Sequence, residues 1–87
     1  MDYGAYKYIS SATTTVCKAE AGILKKIIIT EAVASTIIVY DNASGAGTII
    51  ASFVASAPVG TYLFDVPFSL GLTVITAGAS KLTVVYE

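Results

Sequence analysis

The chain is predicted to be all-β: a small antiparallel β-sandwich or jelly roll of about eight short strands with no substantial helix. Three observations point there. Val, Ile and Thr supply a third of the residues, and β-branched side chains lose rotamer freedom in a helix but pack well on a pleated surface. Turn formers recur at short spacing: Gly22, Asn42 with Gly45 and Gly47, Pro58 with Gly60, Gly71 and Gly78. No window of a dozen residues carries a convincing helical stripe. The nearest, Ala19 to Ala34, is interrupted by the strand-favouring run Ile27-Ile28-Ile29-Thr30.

The first two predicted strands, Tyr6–Ser10 and Thr13–Lys18, lie before Gly22. Tyr6 and Tyr8 share one face of the first. Ile23–Glu31 follows and holds the Ile run. Thr36–Tyr40 is apolar on both faces, with Ile38 and Tyr40 opposite Ile37 and Val39. Thr48–Val54 is similar, with Ile50 and Val54 opposite Ile49, Ala51 and Phe53. Between these two, Asp41 to Gly47 forms a turn, because Asn and Asp bond their own backbone and Gly takes positive φ freely. Thr61–Phe68 alternates, with an aromatic core face of Tyr62, Phe64, Val66 and Phe68. Pro67 cannot donate to a ladder, so this strand is an edge or is bulged there. Leu72–Thr76 and Lys81–Tyr86 close the chain, the latter with Leu82, Val84 and Tyr86 on one face. The order of the strands in their sheets is not readable from the sequence.

Eighty-seven residues allow one domain, 1–87, within which 1–8 can serve as a flexible N-terminal arm. A chain this small buries only about 60% of its unfolded surface and is near the lower limit of stability. Disulfides, metals and oligomerisation are the common remedies. One Cys makes no intrachain disulfide, and with no His and six scattered carboxylates no metal or other cofactor is expected. Oligomerisation remains. Hydrophobic residues make up 55% of the chain and charged residues 13%, against about 45–50% and about 25% in ordinary domains. A subunit interface would use that excess. Strands apolar on both faces need a cover on both, so Ile37, Val39, Ile49 and Phe53 are the candidate interface residues in a homo-oligomer.

The same figures exclude a disordered chain. Five Lys, no Arg and a net charge of −1 argue against nucleic acid as a partner. No membrane partner is expected either. The longest uncharged stretch, Asn42 to Phe64, is broken by Pro58 and three glycines, and the first ten residues lack the regions of a signal peptide.

No catalytic constellation is visible, and the protein is not expected to be an enzyme. The absence of His rules out a Ser-His-Asp triad. Asp41 and Asn42 beside glycines lack the further ligands of a calcium loop, and Thr48 stands where a phosphate loop needs Lys. Cys17 reads as a small buried apolar residue in a strand. Lys25 and Lys26, as adjacent strand residues, should point to opposite faces. Glu20, Glu31 and Asp65 show no pairing by spacing. Tyr3, Tyr6 and Tyr8 are the candidate partner-binding residues. They suit a stacking or groove-filling role and equally an N-terminal strand packed in the protein's own assembly.

The segment Thr36-Ile37-Ile38-Val39-Tyr40-Asp41-Asn42-Ala43-Ser44-Gly45-Ala46-Gly47-Thr48, with Gly71-Leu72-Thr73-Val74-Ile75-Thr76-Ala77-Gly78, Leu82-Thr83-Val84-Val85-Tyr86-Glu87 and Tyr8-Ile9-Ser10-Ser11-Ala12-Thr13-Thr14-Thr15, resembles small virion proteins of tailed bacteriophages. That resemblance implies a capsid decoration (cementing) protein, a structural part of the virion. It would be a homotrimer on the phage particle surface, bound to the major capsid protein or another virion protein, and made in the bacterial host cytoplasm. The alternatives are a tail, fibre or adaptor component, or a glycan-binding β-sandwich for host attachment.

Overall fold

The Val, Ile and Thr runs and the turn residues between them produce eight strands among the described residues: β1 Ala5–Ile9, β2 Thr13–Lys18, β3 Gly22–Glu31, β4 Ile37–Asp41, β5 Thr48–Phe53, β6 Gly60–Phe68, β7 Leu72–Thr76 and β8 Lys81–Tyr86. The computed structural model describes residues 5–31, 36–55, 58–78 and 80–87, and no helix occurs among them. β1 takes up Ala5–Ile9, so of the expected N-terminal arm only 1–4 are left, and these lie outside the described residues.

Two four-stranded antiparallel sheets result. The first has the order β1-β8-β3-β6 and the second β2-β7-β4-β5. The pairs β1 with β8, β2 with β7, β3 with β6 and β4 with β5 are those of one long hairpin rolled up on itself. That winding is the jelly roll.

Alternation fixes which side chains meet between the sheets. Leu24, Ile27 and Ile29 of β3, with Leu82 and Val84 of β8, face Ile37 and Val39 of β4 and Leu72 and Val74 of β7; none of these is exposed to solvent. Phe53 of β5 packs edge-on against Tyr62 and Phe64 of β6, with ring centroids 5.0 and 6.3 Å away, and bridges the two sheets at one side. The winding is pinned by polar groups as well. Thr76 Oγ1 accepts from the Thr13 N–H at 3.1 Å and donates to the Ser11 carbonyl at 2.7 Å, tying the β1–β2 connection to β7. Thr73 Oγ1 donates to the Asn42 carbonyl at 2.8 Å.

The register of β3 shifts between Leu24 and Lys26 against both its neighbours. The alternation breaks there. Leu24 and Ile27 are both buried, and Lys25 and Lys26 lie together on the outer side between them. The expectation that these two lysines point to opposite faces is corrected by this bulge. On β6 the shift leaves Asp65 at φ 58, a left-handed conformation that Asp tolerates better than most residues.

Candidate functional site: the outer sheet faces

No cavity or cleft opens among the described residues, and no three potential metal ligands cluster among them. Among the described residues no helix is long and apolar enough to cross a membrane. The surfaces with something to offer are the outer faces of the two sheets.

On the first sheet the outward residues form two rows across all four strands. One runs Tyr6, Val85, Lys26, Leu63; the other runs Tyr8, Thr83, Ile28, Thr61. Leu63 is 80% exposed, Tyr6 68% and Tyr8 56%, while Val85 and Ile28 are half-buried between them. The charges beside these rows are mostly paired. Lys81 meets Glu31 at 3.1 Å. Lys25 meets Asp65 at 3.1 Å and Glu87 at 3.6 Å. These carboxylates raise the pKa of both lysines and keep them charged: the Asp65 hydrogen bond first for Lys25, the Glu31 hydrogen bond first for Lys81.

The second sheet is different. Its outward rows run Thr14, Ile75, Ile38, Ser52 and Val16, Thr73, Tyr40, Ile49. The β4–β5 loop folds back over them. A Cβ built on Gly45 would lie 2.5 Å from Ile75 Cδ1, and Thr73 is wholly covered. Gly47, at φ 98, makes the return possible. The turn at Asp41 to Gly47 is therefore a roof on its own sheet.

The residues singled out in the sequence are dispersed by this geometry. Ile37 and Val39 are fully buried inside the sandwich, so the expectation that they form a subunit interface is corrected: Ile38 and Tyr40 are the outward residues of β4. Phe53 is half-buried and held by Tyr62 and Phe64. Ile49 is 53% exposed on the second sheet. Tyr6 and Tyr8 stand together on the outer face of the first sheet, and Tyr3 lies outside the described residues. The sequence pattern puts Leu63 on the face opposite Tyr62 and Phe64, where the structure has it; what was missed is Leu63 as a candidate contact residue. Cys17 is buried, and burial pushes its thiol up to about 11, an effect that nearby Lys7 partly offsets. At neutral pH it is a protonated thiol, not a nucleophile.

No protein-family model and no curated protein matches the chain. In three dimensions it is similar to the core of Drosophila NLP, a structure described for its insight into pentamer formation and histone binding. The TM-score is 0.57 at 13% sequence identity, over 99% of this chain and 97% of that one. The likeness establishes the fold and nothing finer. It is enough to correct the phage reading, because the match is to a Drosophila protein and none is to a virion protein. The quoted segments are strands and turns of a β-sandwich, which the Drosophila core is too, so they never discriminated between the two. Capsid decoration, the tail or fibre role, glycan attachment to a host, the capsid protein as partner and the virion surface as location are all withdrawn with it.

Proposed function

We propose that the protein is a non-catalytic assembly module, one domain that joins copies of itself through an exposed apolar sheet face. The observation that carries this is the outer face of the first sheet: Tyr6, Tyr8 and Leu63 stand well exposed around half-buried Val85 and Ile28. Large aromatic and aliphatic side chains grouped on one face mark an interaction surface, whereas scattered ones do not. The likeness to a core described by pentamer formation supports self-association. The copy number is not taken from it, and the trimer loses its ground with the phage analogy.

Histone binding, described for the Drosophila protein, finds less support in this chain. A basic partner calls for a carboxylate surface. Here Glu31, Asp65 and Glu87 are engaged by lysines, and Asp41 accepts two backbone N–H groups.

Light scattering after size exclusion tests the proposal. At micromolar concentration the mass should be a multiple of 9.0 kDa. A monomer would overturn it.

A further inference from the structure

We infer that the contact between copies is made by like faces: the outer face of the β1-β8-β3-β6 sheet docks on the same face of a second copy. This rests on the self-assembly proposed above and adds which surface carries it.

The strand edges are unsuited to the task. An edge strand invites pairing unless it is bulged, charged or deprived of donors. Each edge here carries such a device. On β6, Asp65 sits at φ 58 in a bulge and Pro67 has no N–H. On β5 the register shifts at Ile50. On β2 it shifts at Cys17, next to Lys18. On β1, Lys7 lies opposite buried Val84 and so on the inward side of its strand, where a charge opposes further pairing. Assembly by strand addition is disfavoured at all four edges.

Area points the same way. The backbone extends over 32 × 29 × 17 Å. Its broad outline encloses at most about 900 Å², against about 800 Å² that each partner contributes to a standard interface. A side wall 17 Å thick offers little more than half of that. Of the two broad faces, the second is roofed in part by the loop at Gly45, whereas on the first Leu63, Tyr6 and Tyr8 stand exposed and no loop among the described residues covers them.

The first face is also self-complementary. A flat sheet is best covered by another sheet, at about 10 Å. Its apolar rows hold one cation, Lys26. Beside it, Lys25, Asp65 and Glu87 form a group with two carboxylates to one ammonium. A two-fold axis in the plane of contact, lying between Lys26 and that group, brings each Lys26 to the partner's carboxylates. A strongly charged partner would find little to pair with on such a surface.

Like faces join copies in twos, so the assembly should hold an even number of chains. The test compares the wild-type protein with Leu63→Asp and with Ile49→Asp on the opposite face, by light scattering after size exclusion, with circular dichroism to check the fold. The expected result is an even-numbered wild type, an Ile49→Asp protein of the same mass, and a folded Leu63→Asp protein whose mass falls to 9.0 kDa. Should Leu63→Asp fail to fold, the double variant Tyr6→Ser, Tyr8→Ser takes its place. An odd number of chains, or an assembly that survives Leu63→Asp and dissociates with Ile49→Asp, overturns the like-face contact and leaves self-assembly standing. A monomeric wild type overturns both.

Discussion

Asp41 ends β4, and its Oδ1 accepts from the N–H groups of Ser69 and Leu70, both at 2.9 Å. One side chain thus holds the end of β4 to the β6–β7 turn. These N–H groups, Leu70 first and then Ser69, hold its pKa below the ordinary 3.8, since they bond the charged form best. The folded value is the lower one, so the contribution is complete above the unfolded value and is lost as pH falls through the folded value. In urea titrations from neutral pH downward, the wild-type midpoint should drop below about pH 4. Asp41→Asn should be less stable at neutral pH and show a shallower drop. Equal drops would remove Asp41 from the acid response.

Strand positions were legible because β-branched runs and Gly, Asn and Pro bound each element from within its own segment. Thr13–Lys18, Leu72–Thr76 and Lys81–Tyr86 appear in the fold with the bounds their residues suggest. What a strand faces is another matter. In β4 the choice between Ile37 with Val39 and Ile38 with Tyr40 for the core depends on strands far along the chain, and both pairs read as apolar. The bulge at Lys25 and the roof at Gly45 were hidden for the same reason: each is set by what lies across the sheet. Gly45→Val tests the roof. A Cβ there meets Ile75 Cδ1, the end of a flexible side chain, so Ile75 must turn aside or the loop must lift. The cost is at the low end of, or below, the about 1–3 kcal/mol of overpacking in a core. The urea midpoint should fall and the loop should become a site of proteolytic cutting, whereas an unchanged midpoint and intact loop would refute close packing there.

At the scale of the molecule, a chain of 87 residues has one thin core and little stability to spare. Val39 lies at its centre with no solvent exposure. Val39→Asp places an unpaired charge where water is absent, at a cost above about 4 kcal/mol, enough to unfold a small domain. Circular dichroism should show a denatured chain, not a dissociated folded subunit. Leu63→Asp, on the surface, should show the reverse. The contrast between the two variants separates the core from the contact surface, a distinction the alternating apolar pattern alone left open.

In the first sheet β8 lies between β1 and β3, so the eighth strand in chain order is the one that joins the first to the third. A ribosome delivering this chain cannot complete that sheet until Lys81–Tyr86 has emerged. Until then β1 and β3 each show an unsatisfied flank, and the Ile27-Ile28-Ile29 run is without its neighbour. Pairings so distant along the chain place folding in the slow range, on the order of milliseconds to seconds. The nascent chain therefore carries a sticky, incomplete sheet until β8 emerges, and avoiding premature aggregation depends on how quickly the roll closes once Tyr86 is free to pair with Ala5 and Leu24.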